Sequence, residues 1–186
     1  MAIMRTISGK ILGKLGWKIT GDFGIIKKSI TIFAPHTAHV DFFFGKLGFT
    51  ELGVKFNFLS KKELFFFPMN LIMRKLGSIP VRGVKGKNAI YEVAEMLNNT
   101  NELHIVVSPE GRIKRVDNWN KGFYYMAKKA KVPIVVSYLD YEKREMGVKE
   151  VIYDIEDFNT VMKQINSIYK DVKGKKPDMF VLQVTT

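Results

Sequence analysis

His36 and Asp41 stand five residues apart in the stretch Ala34-Pro35-His36-Thr37-Ala38-His39-Val40-Asp41. An imidazole titrates near neutral pH, so it can take a proton and give it back. A carboxylate on the other ring nitrogen would fix the tautomer and stabilise the imidazolium. The spacing decides what geometry this needs. On one continuous helix, residues five apart point about 140° away from each other. The pair can meet only if His36 lies in a loop and Asp41 in the first turn of a helix, where the helix dipole also favours a negative charge. The flanking residues suit that arrangement. The β-branched run Ile30-Thr31-Ile32-Phe33 precedes the stretch and Phe42-Phe43-Phe44 follows it, so a strand is expected to give way to a helix at His36.

Two further strand-end loops carry chemistry. Residues 103–107 read as a strand leading to Ser108-Pro109-Glu110-Gly111, and residues 78–81 as a strand leading to Arg82-Gly83. Ligands of open α/β sheets bind in the crevice outside the carboxyl ends of the strands. One cleft would then gather His36, Asp41, Glu110 and several cations. Such a site suits deprotonation of a hydroxyl on an anionic substrate. No further ligand motif accompanies His36, His39 and Asp41, so no metal is expected there. His104 falls inside a strand candidate and reads as structural.

The rest of the chain must position these loops. Ile3, Ile7, Ile11, Leu15 and Ile19 recur every four residues, with Lys10, Lys14 and Lys18 beside them. Residues 1–20 therefore read as a basic amphipathic helix. It either covers the core or lies in the plane of a membrane with Trp17 at the interface; Gly9, Gly13 and Gly16 weaken it in both cases. Residues 25–33 read as a strand or hairpin with Lys27-Lys28 at its turn, 40–52 as a helix and 55–60 as a short strand. Residues 61–76, broken by Pro68, read as a pair of buried helices, or alternatively as a wall for an apolar ligand or a surface against lipid. Helices are expected at 88–97, 118–131 and 158–169. Strands are expected at 132–139, where continuous apolar sequence marks burial on both faces, at 148–155, and at the edge over 179–184. Strands and helices alternate, so the class is α/β: a single domain over residues 1–186 with a mixed, mostly parallel sheet flanked by helices.

Composition narrows the partners. Hydrophobic residues make up 46% of the 186, which suits a globular core. There is no cysteine, so disulfides and cysteine-based zinc sites are excluded. A net charge of +12 points to an anionic partner. The basic residues are scattered and no nucleic-acid-binding signature is present, so nucleic acid is not the expected partner. No apolar run approaches the ~20 residues that span a bilayer, and the charged N-terminus does not read as a signal peptide.

These residues carry a resemblance. His36 to Asp41 resembles the H-x4-D block of the glycerophospholipid acyltransferase family, which includes the 1-acylglycerol-3-phosphate acyltransferases. Gly77-Ser78-Ile79-Pro80-Val81-Arg82-Gly83 resembles its second block, Ser108-Pro109-Glu110-Gly111 its third and Val132-Pro133-Ile134-Val135 its fourth, in the family's order. There are departures. Pro35 and Ala38 stand where the family has Asn and Ser, Arg82 falls one place early, Arg112 replaces a threonine, and Val136 replaces a second proline. The resemblance implies a glycerol-phosphate acyltransferase-like fold and a fatty acyl transfer from acyl-CoA or acyl carrier protein to a lysophospholipid-type hydroxyl. Beyond this acyl thioester co-substrate it implies no cofactor. His36 would be the general base and Asp41 its partner. Glu110 and Gly111 would shape the acceptor site, and Arg82, Arg112 or Lys114 would meet its anion. The protein is then expected to sit peripherally on the cytoplasmic face of the cell membrane, in contact with anionic lipid. Two alternatives accompany this reading: a non-phosphate acceptor, or a membrane-surface protein of the same fold without turnover.

Overall fold

Apolar sequence on both faces of a strand demands cover on both sides, and the central strands have it. The computed structural model describes residues 2–82 and 87–183; Gly83, Lys85 and Val184 lie outside them. Strands β1 (Lys18–Thr20), β2 (Lys28–Ala34), β3 (Asn57–Lys61), β4 (Ser78–Val81), β5 (Leu103–Val107), β6 (Ile134–Asp140) and β7 (Glu145–Ile152) form one sheet. Their order is β1-β7-β6-β2-β5-β3-β4. The strands from β6 to β4 are parallel, β7 runs antiparallel to β6, and β1 lies parallel to β7 at the edge. The α/β class and the mostly parallel sheet read from the sequence are therefore what the chain adopts.

The described helices are α1 (Ala2–Lys14), α2 (Asp41–Glu51), α3 (Met69–Leu76), α4 (Lys87–Asn98), α5 (Gly122–Ala130) and α6 (Phe158–Tyr169). Along β2, Ile30, Ile32 and Ala34 enter one core while Phe33 enters the other, the period-2 alternation of a strand. The first core packs α4, α5 and α6 on one face through Leu97, Phe123, Met126, Met162 and Ile165. The second packs α1 and α2 on the other through Leu12, Phe49, Phe56 and Met146. Gly48 lies close over Met146: a Cβ there would come 2.0 Å from the end of the Met146 side chain, so a larger residue requires that flexible side chain to move aside.

Several elements differ from the sequence expectation. The N-terminal helix ends at Lys14, because Gly16 takes a left-handed φ of 74° and the chain turns into β1. Trp17 is consequently a core residue and not an interface one: its ring lies 4.6 Å from Phe44 and 5.1 Å from Tyr141. The isoleucine stripe of α1 faces outward. Ile3, Ile7, Ile11 and Leu15 are 41–77% exposed, whereas Ser8 and Leu12 are buried. Residues 25–27 precede β2 and form no hairpin strand. Residues 61–76 do not form two buried helices. A single 3-10 turn at Lys62–Leu64 precedes α3, and neither element buries a residue. They connect β3 to β4 at the sheet's edge, where only one side of a helix finds a partner. Helix α5 starts at Gly122, after Asn120 and Trp119 have bonded to Pro109 and Val181. Residues 179–183 form no strand, but return to residues 118–119 through Val181 and Gln183.

Candidate active site

Three adjacent parallel strands, β6, β2 and β5, end side by side, and the residues just past them build the site. After β2 the chain turns through Pro35–Val40 and enters α2 at Asp41, so His36 lies in the loop and Asp41 in the first helical turn. Asp41 is fully buried. Its Oδ2 accepts the Thr37 and Ala38 amides at 2.8 Å each, closing the loop onto the carboxylate. His36 Nδ1 stands 3.3 Å from the same oxygen. Nδ1 is buried, and no well-aligned hydrogen bond joins it to the carboxylate at this distance. A ring proton on Nδ1 would face this carboxylate and leave Nε2 as the accepting nitrogen.

The other oxygen, Oδ1, accepts the Tyr141 hydroxyl at 2.5 Å. Burial pushes the Asp41 carboxyl up. The hydrogen bonds from His36, Tyr141, Ala38 and Thr37 outweigh it and hold the group below the usual carboxylate range. Burial first, and then Asp41, push the Tyr141 hydroxyl far up, so it remains a donor.

On the opposite side, Glu110 from the loop after β5 is also buried. Its Oε1 accepts the His36 amide at 2.8 Å and its Oε2 accepts the Ser108 hydroxyl at 2.6 Å. Burial raises this carboxyl above its ordinary value, and the bonds to Ser108 and His36 offset only part of that. Glu110 therefore stands behind the His36 loop and ties it to the neighbouring strand end.

His36 opens on a cleft of about 300 Å³. Its walls are aromatic and aliphatic, including Phe33, Phe42, Phe56, Phe58 and Met126. The lining also includes the polar Ser108, Arg112 and Asn120, with Gly111 beside them. Of the cations expected there, Arg112 lines the cleft, and Lys114 is exposed without lining it. Arg82 does not reach it. Its side chain is 79% exposed, its amide donates to Glu92 at 3.0 Å, and its guanidinium lies 3.8 Å from the same carboxylate. The reason is topological: β4 is the edge strand, and β3 and β5 separate it from β2. His39 is exposed. His104 is a core residue whose Nδ1 lies 2.9 Å from Ser29 Oγ, and burial lowers its pKa against the opposing charge of Glu102.

Sequence reasoning missed Tyr141. The signal was there, since it is the first residue past β6, but no motif marks it.

A family model described as acyltransferase matches residues 20–139. The chain belongs to the acyltransferase family. The match contains the loops bearing His36, Asp41, Arg82 and Glu110, so the acyltransferase's cleft lies within it. Among solved structures, the acyltransferase chain resembles the crystal structure of the 1-acyl-sn-glycerophosphate (LPA) acyltransferase PlsC from Thermotoga maritima. The TM-score is 0.60 and the identity 21%, over 92% of this chain and 76% of that one. At that identity the likeness is one of fold. A search of curated protein sequences gave no match.

Proposed function

We propose that this acyltransferase moves a fatty acyl group from an acyl thioester, carried by coenzyme A or acyl carrier protein, to the hydroxyl of a lysophospholipid-type acceptor such as 1-acylglycerol-3-phosphate. The observation that carries the reading is the His36–Asp41 pair, with His36 in the wall of a largely apolar cleft. The acceptor O–H gives its proton to His36 Nε2 as its oxygen attacks the thioester carbonyl. Asp41, ionised and facing Nδ1, stabilises the imidazolium. The tetrahedral intermediate collapses with cleavage of the C–S bond, and the imidazolium returns the proton to the departing thiolate. The transfer is direct. The chain has no cysteine, and the Ser108 hydroxyl donates to Glu110 and not to a histidine. General-base catalysis of this kind contributes about 10²–10⁴-fold. The aromatic walls suit the acyl chain, and Arg112 suits the acceptor's anion.

The same reading places the protein peripherally on the cytoplasmic face of a membrane. No described helix is long and apolar enough to cross one. The outward stripe of α1, with Lys10 and Lys14 exposed on the same helix, and the exposed Phe66, Phe67, Leu71 and Ile72 near α3 supply apolar contact and charge together.

Release of free thiol from acyl thioesters, measured against a panel of lysophosphatidate, other lysophospholipids and uncharged alcohols, tests the assignment. Acceptor-dependent release with lysophosphatidate, abolished in a folded His36→Ala variant, is the expected result. Turnover that survives in His36→Ala overturns the mechanism. A wild type that ignores every lysolipid while acylating an uncharged alcohol overturns the acceptor.

A further inference from the structure

We propose that Tyr141 is a positioning residue of the acyl transfer, acting on His36 through Asp41 and braced by the segment at 173–176. The proposal rests on the general-base reading above. Tyr141 and residues 173–176 all lie beyond the matched stretch 20–139, so nothing in the family match assigns them a part.

The geometry separates the two oxygens of Asp41. Oδ2 is held by two backbone amides and faces His36. Oδ1 accepts one described bond, the short one from Tyr141. Asp41 is fully buried, so no water replaces a lost donor there. Without the hydroxyl, the carboxylate would be free to turn and draw its charge onto whichever donors remain. The imidazole would lose a fixed partner. A donor that orients the partner of a catalytic histidine does its work without touching the substrate.

Tyr141 is itself fixed from three directions. Its ring meets Trp17 edge-on at 5.1 Å and Phe44 at 6.0 Å. Its amide donates to the Lys173 carbonyl at 2.9 Å. Three residues later, the Lys176 amide donates to Thr37 Oγ1 at 3.1 Å. Between them Gly174 lies so close that a Cβ would come within 2.9 Å of the Thr37 hydroxyl and 3.0 Å of Pro35 Cβ. One strap thus grips the tyrosine on one side and the His36 loop on the other, and sets the distance between them.

Tyr141→Phe removes the hydroxyl and keeps the ring. Its kcat is expected to fall roughly 10-fold, with the KM for thioester and acceptor each within about twofold, as loss of a positioning contact requires. The acid limb of kcat/KM should move to higher pH, because a carboxylate short of one donor attracts the imidazolium proton more strongly. In an Asp41→Asn background the same change should cost almost nothing further, since the two residues act as one unit. Gly174→Ala, which disturbs the strap without touching Asp41, should give the same signature in weaker form, and it decides the matter should Tyr141→Phe fold poorly by circular dichroism. A Tyr141→Phe enzyme with unchanged kcat and pH profile but a lower melting temperature would show that the tyrosine only packs. That result leaves the general-base reading intact; turnover in His36→Ala would sink the reading itself.

Discussion

Arg82 and Arg112 look alike in the sequence, each just past a strand and next to a glycine. The fold gives them different surroundings: Arg112 lines the cleft, and Arg82 is turned to Glu92 at the sheet's edge. Charge-assisted hydrogen bonds contribute about 1.5–3 kcal/mol each. Arg112→Ala is therefore expected to lower kcat/KM for an anionic acceptor roughly 10–100-fold while leaving the thioester's KM nearly unchanged. Arg82→Ala should leave both parameters close to wild type. Equal losses in the two variants would mean that the acceptor's anion sits elsewhere. Glu110 permits a test through pH. Its carboxyl is raised in the fold by burial, so the folded state holds the proton more tightly than the unfolded one. The charged form then costs stability, and that cost appears as pH rises from the ordinary glutamate value through the raised one. A Glu110→Gln variant keeps an acceptor for the His36 amide and carries no charge. Its melting temperature relative to wild type should climb between pH 4 and pH 7 in a thermal series, and a gap that does not change with pH would contradict the assignment. Asp41 has the opposite sign. Held below the usual range, it adds stability above the ordinary aspartate value and loses it as pH falls through its lowered one, so Asp41→Asn should narrow the wild type's advantage on the acid side.

At the level of elements, α1 shows a correct period whose buried face the sequence left open. The four-residue spacing of Ile3, Ile7, Ile11 and Leu15 marks a helix, and a helix forms. The core, however, takes Ser8 and Leu12. A small serine and glycine face let the helix lie close to α2, where Gly9 meets the Glu51 side chain. Leu12→Ala should accordingly destabilise the protein by about 2–5 kcal/mol. Ile7→Asp with Ile11→Asp should leave the melting temperature nearly unchanged while weakening vesicle binding; unfolding of that double variant would show the stripe to be core after all. The central strands were legible because burial on both faces leaves a nearly continuous apolar run in β6 and a β-branched one in β2. The His36–Asp41 geometry was legible because a spacing of five excludes a continuous helix. The stretch 61–76 was not, since apolar content says nothing of whether an element sits at the centre or the edge of a sheet. Nor was Tyr141, whose role depends on β6 lying beside β2, a matter of strand order that no local pattern encodes.

The whole molecule carries +12 and displays apolar side chains outward from α1 and from the turn before α3, at Phe66 and Phe67. Lysines near an anionic lipid surface contribute about 1 kcal/mol each, and that attraction is screened over about 8–10 Å at physiological salt. Co-sedimentation with anionic vesicles should fall as salt is raised, and binding to neutral vesicles should be weaker throughout. Equal, salt-insensitive binding to both would leave only the apolar half of the membrane reading. The strap at 173–176 has a consequence for biosynthesis. Its contact to Thr37 joins residues 139 positions apart in the chain. At the ~5–20 residues per second at which chains emerge, His36 and Asp41 leave the ribosome many seconds before their brace. A nascent chain therefore carries His36 and Asp41 without the strap, and gains it only once residue 176 has emerged.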